Sequence, residues 1–379
     1  MSSPVILRPV VTKRDREAFV DFVWQVYADD PAWIAPLKDE VHGLLDPRKN
    51  PWFGHGRAML WLATRDGALV GRISAQVDDL VQTHMEQGLG QWGMFEALDE
   101  DAAAALIAQA ETWLRDQGMT SAMGPISISI WDEPGLLIDG FEQSPVVMMG
   151  HHRPAYRGYI ERAGYAKAKD LVTYELDIRK ELQPLVMRLI ANGEKNPRIT
   201  LRNVDKKHFK TEAAIILNLL NDAWSENWGF VPLTDAEIAY AGKKLKPIIY
   251  EDLVRIAELD GEPVAFMITL PDVNELIADL DGRLFPVGWA KLLWRLRKPQ
   301  VRRIRVPLMG VAKKLQSSRV AGQLAFMLID SIRRNCVDHY GVSHGEFGWI
   351  LEDNQGMVSI AELSHATLNH TYRIYRKTL

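Results

Sequence analysis

Residues Arg302 to Arg334 read RRIRVPLMGVAKKLQSSRVAGQLAFMLIDSIRR, and the fold follows from how this stretch changes character. Ile304 to Val311 is a short apolar run of strand length, entered from arginines. Lys313 to Gly322 is a basic turn that carries Ser317 and Ser318. From Gln323 to Arg334 the apolar residues recur at helical spacing. The stretch therefore predicts a strand, a donor-rich turn and a helix. The first N–H groups of a helix lack partners and carry partial positive charge, so such a turn is a ready anion site. The competing reading is a solvated basic turn.

Working outward, Glu346–Leu351 reads as a strand, Gln355–Leu363 as a helix and Thr371–Tyr375 as a closing strand. Upstream lie a strand at Ile199–Asn203 and a helix at Lys210–Trp224. Leu253–Glu258 and Val264–Thr269 form a hairpin around Asp260-Gly261. The first half of the chain has the same order. It runs strand Val5–Val11, helix Arg14–Tyr27, and a hairpin (Ala58–Thr64, Leu69–Val77) around Asp66-Gly67. Strand Gly90–Phe95 follows, then a helix opened by Asp99, an extended segment Ser121–Ile130, helix Pro154–Ala163 and strand Lys169–Leu176. The chain thus predicts an α/β fold of the mixed α+β sheet kind in two copies. These are residues 1–178 and 198–379, joined by a linker at 179–197.

Composition narrows the function classes. The 379 residues are 47% hydrophobic and 25% charged, enough for two packed domains. A net charge of −4 argues against a dedicated nucleic-acid binder. The single cysteine, Cys336, excludes internal disulfides and multi-cysteine metal sites, and its helical setting makes it a packing residue. Met1 to Pro9 lacks a basic region followed by a long apolar core, and no apolar run reaches the roughly 20 residues of a spanning helix. A cytoplasmic protein with at most peripheral membrane contact is the expectation.

The two copies differ where it matters. The second copy has Gln316-Ser-Ser-Arg319-Val-Ala321-Gly322-Gln323-Leu324 between its strand and helix. The first has Ala97-Leu-Asp99-Glu100-Asp101, whose carboxylates suit a helix N-terminus but repel a phosphate. The strand–turn–helix order, with Arg319 and Gly322 at their spacing, resembles the GNAT acyltransferase fold. That resemblance implies acyl-CoA binding at Val311, Lys313, Lys314, Arg319, Ala321, Gly322 and Gln323, with Asn354 beside the CoA arm. Leu324 stands where that family carries a small residue.

Amide formation from a thioester needs a base for the amine proton and no metal. The richest polar cluster is Ser127 to Gly135, with Asp132 and Glu133, followed by His151 and His152. These four residues are base candidates; read blandly, the acids form a turn before Pro134-Gly135 and the histidines cap or face solvent. Glu346 is a further base candidate. Adjacent histidines point apart and no H-E-x-x-H spacing occurs, so no metal is expected. Asn221 to Phe230 is aromatic-rich, fitting either an apolar acceptor pocket or a core cover. An amphipathic insert at 283–300 carries Phe285, Trp289, Leu292, Leu293 and Leu296 opposite Lys291, Arg295 and Lys298. With Arg302, Arg303 and Arg305 following, residues 285–305 fit an anionic membrane surface, or a helix packed on its own domain.

Three further motifs, Trp131-Asp-Glu-Pro-Gly-Leu-Leu137, Trp224-Ser-Glu-Asn-Trp-Gly-Phe-Val-Pro232 and Phe347 to Met357, are similar to the tandem-GNAT group that includes bacterial ceramide synthases. Arg153 and Ser364-His365 depart from that group, which has an asparagine and glycines there. The resemblance implies N-acylation of a sphingoid-like amine from acyl-CoA at the inner face of the cytoplasmic membrane. A soluble amine acceptor, as in the peptidyltransferases, and a non-catalytic binding protein are the other readings.

Overall fold

The computed structural model describes residues 3–379, which form a 13-stranded mixed sheet and a small separate ribbon, with helices packed against the sheet. The first copy supplies β1 (Ile6–Pro9), β2 (Gly56–Arg65), β3 (Ala68–Asp78), β4 (Leu89–Ala97), β5 (Ser121–Gly124), β6 (Ile126–Ser127), β7 (Glu133–Pro134), β8 (Leu136–Asp139) and β9 (Ala166–Asp177). The second supplies β10 (Ile199–Asn203), β11 (Val254–Leu259), β12 (Glu262–Pro271), β13 (Arg303–Val311), β14 (His344–Leu351) and β15 (Thr367–Thr378). The order across the sheet is β1-β2-β3-β4-β5-β15-β9-β14-β13-β12-β11-β10. β8 pairs with β15, and β6 and β7 form the ribbon.

Each copy gives its last strand to the other. β15 pairs with β5, with Tyr375 opposite Gly124, while β9 pairs with β14, with Tyr174 opposite Phe347. β9 and β15 also pair antiparallel with each other at the centre of the sheet. Strand-forming sequence is a local property, but which strand becomes the neighbour is not, so no motif announces this exchange. One core gathers Phe266, Leu324, Phe326 and Leu328, and another Trp92, Phe95, Leu106 and Leu114. Full burial of each such side chain contributes about 1.5–3 kcal/mol.

The long helix of the second copy runs from Arg319 to Asn335, four residues earlier than its spacing predicts. Ser318 is extended (φ −102°, ψ 156°) and takes the N-cap position, which puts Arg319 and Gly322 in the first turn. Lys313–Gln316 forms a short helix of its own. Leu324 is completely buried in the core, so its bulk lies away from the helix N-terminus. The helix Asp235–Leu245 escaped the spacing analysis, although its capping box of Thr234 and Glu237 is written in the sequence.

The insert also departs from expectation. It forms a ten-residue helix, Gly288–Arg297, preceded outside its bounds by a five-residue helix at Val273–Ile277 and a single turn at Ala278–Leu280. Leu292 and Leu296 pack inward against the core. Lys291 and Arg295 both pair with Asp279, so part of the predicted cationic face is engaged by an acid, while Arg297 and Lys298 stay exposed. Phe285, Val287, Trp289, Leu293 and Trp294 remain 47–75% exposed. Among the described residues no helix is long and apolar enough to cross a membrane.

Candidate active site

Two parallel strand pairs open into forks, one in each copy, and only one fork is free. In the second copy β13 and β14 pair from Arg303/His344 to Val306/Phe347. The next residue, Pro307, has no N–H to continue the ladder. The Arg305 guanidinium spans the base of the fork, donating to the Gly348 carbonyl at 3.0 and 3.1 Å and to the Val147 carbonyl at 2.6 Å. In the first copy β4 and β5 pair from Leu89/Ser121 to Gln91/Met123. Beyond that point the chain folds back across β4. A Cβ added at Gly93 would meet the Ile126 carbonyl oxygen at 2.1 Å, and Gln76 Nε2 donates to that oxygen at 2.5 Å. Backbone fills the first fork.

The helix ends differ in the same sense. Asp99 accepts from the Ala102 N–H at 3.0 Å and pairs with Arg65 at 2.5 Å, so carboxylates occupy the first copy's helix N-terminus. In the second copy the first turn has no acid and Ser318 makes no side-chain cap. A Cβ on Gly322 would have nothing within 4 Å, and Arg319 is exposed. Lys313 and Lys314 are not free, for they pair with Glu226 at 2.5 Å and Glu262 at 2.7 Å. Surface pairs of this kind are worth about 0–1 kcal/mol, so a pyrophosphate can displace them. Val311, Ala321 and Gln323 flank the same turn, half-buried. Asn354 is committed elsewhere: its Oδ1 caps the next helix, accepting from the Met357 N–H at 3.1 Å.

A cavity of about 570 Å³ lies between the copies, within the usual range for small-molecule sites. Arg305, Pro307, Leu308 and Trp349 at the free fork line it, as do Glu133, His151 and His152. Most of its wall is apolar, with Val20, Trp24 and Leu37 from the first copy and Ile216, Leu220 and Trp224 from the second. Trp224 stacks on Trp131 and donates to the Met309 carbonyl, so the aromatic-rich stretch serves cavity wall and core together.

Within it, Glu133 and His152 meet. Glu133 is held on the β6–β7 ribbon, opposite Ser127. Its side chain keeps 43% of its surface accessible, but to the cavity it lines, and desolvation raises its pKa above the ordinary carboxylate value. His152 Nδ1 accepts the Leu137 N–H at 3.1 Å, which leaves the ring proton on Nε2. That Nε2 stands 3.6 Å from Glu133 Oε1. Burial lowers the His152 pKa to about 3, so the ring is neutral at pH 7. Asp132 accepts from Ser129 Oγ at 2.7 Å, and burial raises it to about 6. His151 points the other way, with Nε2 2.9 Å from Asp30. Glu346 is not in the cavity wall. It is buried beside Arg305, accepting from Asn369 Nδ2 at 2.7 Å, with its pKa raised by burial to about 7.

The spacing analysis missed Arg72 and Glu96, which also line the cavity. Glu96 is the one charge of its strand and Arg72 the one charge in the interior of its own, and a charged residue on such an apolar strand was the available signal.

No family model matches the chain. A protein named bacterial ceramide synthase, from Caulobacter vibrioides (strain NA1000 / CB15N), is 43% identical over 374 residues, covering 98% of this chain and 97% of its own. Protein YghO of Escherichia coli (strain K12) is 40% identical over 381 residues, covering 99% of this chain and 95% of its own. Two solved structures share the fold over 99% of this chain. A tandem GNAT protein from the clavulanic acid biosynthesis pathway has a TM-score of 0.57 at 12% identity, with 98% of that chain covered. A GCN5-related N-acetyltransferase from Sphaerobacter thermophilus has 0.54 at 13%, with 95% covered. The chain belongs to the bacterial ceramide synthase family, and is an acyl-CoA-dependent N-acyltransferase built from two tandem GNAT-like domains.

Proposed function

We propose that this chain acylates the amine of a lipid-like, sphingoid-type acceptor held in the cavity between the copies. The observation that carries the reading is the asymmetry of the forks. The free β13–β14 fork opens on the cavity that holds Glu133, while the β4–β5 fork is filled by its own backbone. Acyl-CoA lies with its pyrophosphate on the turn at Arg319 and Gly322 and its thioester in the free fork. The acceptor's alkyl chain takes the apolar part of the cavity. Its nitrogen attacks the thioester carbon, a C–N bond forms as the C–S bond breaks, and Glu133 receives the amine proton. That proton returns to the leaving thiolate, so amide and free CoA are the products. The neutral His152 Nε2–H stands 3.6 Å from Glu133, just outside hydrogen-bond distance, and puts no positive charge beside it.

The acceptor reaches the site from a membrane at its cytoplasmic face. Phe285, Val287, Trp289, Leu293 and Trp294 form an exposed apolar patch, with exposed Arg283, Arg297, Lys298 and Arg302 around it. Leu280, Leu284 and Leu292 behind this patch pack with Leu37 and Ile277, which line the cavity. Tryptophan, phenylalanine and basic residues together suit an anionic interface. Arg319→Glu tests the donor site: acyl-CoA binding measured by calorimetry is lost while the melting temperature holds. Unchanged affinity in that variant would refute this placement of the donor.

A further inference from the structure

We propose that Arg305 is a positioning residue, which sets where the Glu133 carboxylate stands relative to the thioester in the free fork. The inference rests on the reading of Glu133 as the base and adds what holds it in place. Among the described residues the Glu133 carboxylate accepts no hydrogen bond, and His152 Nε2 stops just short of it. What lies against it is backbone. A Cβ added at Gly150 would stand 2.6 Å from Glu133 Oε1 and 3.0 Å from His152 Cε1. Gly150 does not have the positive φ that calls for glycine, so it is the close approach that leaves no room for a side chain.

Gly150 ends a segment of the first copy that the second copy holds. Arg303 Nη1 donates to the Ser144 carbonyl at 2.8 Å, and Asn274 Nδ2 to the Pro145 carbonyl at 2.9 Å. The Val147 N–H donates to Asp272 Oδ1 at 2.9 Å, and the Tyr372 hydroxyl donates to the Gly150 carbonyl at 3.0 Å. Arg305 Nη1 takes the Val147 carbonyl at 2.6 Å. All of these side chains belong to the second copy. The backbone behind the base therefore takes its position from the copy that carries the donor fork.

Arg305 is the group that touches both. Its Nε and Nη2 hold the Gly348 carbonyl, one residue past the last β13–β14 pair, while its Nη1 holds Val147. It is 3% exposed, so water does not compete for these charge-assisted bonds. A guanidinium is planar and rigid, which fixes the two carbonyls against each other. From Val147 the chain needs only three residues to reach Gly150. A misplacement of about 1 Å at a reacting group can cost about 100-fold in rate. The register of base against thioester thus passes through this one side chain.

Arg305→Lys tests the role, because lysine keeps the charge beside Glu346 but cannot span two carbonyls as a flat donor array. Kinetics of the full chain with octadecan-1-amine and palmitoyl-CoA are compared with and without Glu133→Gln. With Glu133 present, Arg305→Lys should lower kcat roughly 10–100-fold at unchanged KM for palmitoyl-CoA. In the Glu133→Gln background the same change should cost no more than about 2-fold, since residues acting through one another are not additive. Gly150→Ala should give the same pattern. Its methyl meets the flexible Glu133 side chain and the His152 ring rather than backbone, so it carries the test if Arg305→Lys does not fold. Losses of equal size in both backgrounds, a loss in KM for palmitoyl-CoA instead of kcat, or no loss at all would overturn the positioning role while leaving Glu133 as the base. Full turnover in Glu133→Gln alone, or a wild-type protein inert toward the amine, overturns instead the reading on which the role rests.

Discussion

Replacing Glu346 by Gln asks whether this carboxylate belongs to the chemistry or to the packing between the copies. Its side chain is 1% exposed, Oε1 has no partner, and Oε2 accepts from Asn369. Burial outweighs the attraction of Arg305 and raises its pKa from 4.5 to about 7. A carboxyl whose folded pKa is raised holds its proton more tightly in the folded state. Its favourable contribution is full at pH below 4.5 and is lost as the pH rises through about 7. The whole displacement corresponds to about 3 kcal/mol. Gln keeps an acceptor for Asn369 and cannot ionise. Glu346→Gln should therefore gain stability over wild type by about 2–3 kcal/mol more at pH 8 than at pH 5. Urea unfolding at the two pH values measures that difference. A stability difference that stays constant with pH, in a variant that has lost all turnover, would refute this and make Glu346 a working base.

Three other outcomes follow from the geometry. Glu133→Gln should lower kcat by roughly 10²–10⁴-fold with little change in acyl-CoA affinity. In the wild-type rate profile the acid limb should fall above the ordinary carboxylate value, because Glu133 must be ionised to act and its pKa is raised; steady-state kinetics from pH 5 to 9 check both. Gly322→Ala should stabilise the fold by about 0.5–1 kcal/mol, since the added Cβ meets nothing and alanine favours helix. The same methyl should raise the KM for acyl-CoA several-fold, so melting and kinetics should move in opposite directions. Trp289→Ser combined with Trp294→Ser should leave melting unchanged, because both rings are exposed, and should abolish flotation with phosphatidylglycerol liposomes. Undiminished flotation would exclude the patch as the membrane contact.

Periodicity and turn chemistry were enough for most of the elements. The Asp-Gly turns at 66–67 and 260–261 each place an Asp and a Gly at positive φ, which is why the hairpins were legible. The acids at 99–101 against the acid-free turn before Gly322 were legible too, and the caps follow them: Asp99 caps its helix with a carboxylate, while Ser318 makes no side-chain cap. What sequence could not supply was partnership across the chain. Lys313, Lys314, Lys291 and Arg295 read as free cations, and each pairs with an acid distant in sequence or on another element. His151 and His152 are neighbours in the chain, yet only His152 meets Glu133, because successive side chains diverge. Arg72 and Glu96 come together only through the register of β3 and β4.

The closed fork of the first copy does more than fill a space. The segment that fills it, Ile126–Ser127, is also strand β6, and its pairing with β7 holds the backbone of Glu133. One stretch of chain thus fills the first fork with backbone and holds a carboxylate at the cavity on which the second fork opens. Had residues 126–134 left that fork open, as β14 does, Glu133 would have no ribbon to carry it into the cavity. The exchanged strands bear on the same point. β9 hydrogen-bonds only to β14 and β15 of the second copy, and β15 only to β5, β8 and β9 of the first, so the free fork of one copy and the ribbon of the other are tied through the centre of a single sheet. A catalytic group on one copy can serve a donor on the other only if the two are fixed to well under an ångström. Backbone ladders shared across the junction provide that rigidity, and Leu89 and Met123 of the first copy also share a core cluster with Val231, Leu351 and Tyr372 of the second. Divergence of the two copies and exchange of their last strands are therefore parts of one arrangement, in which neither copy is complete alone.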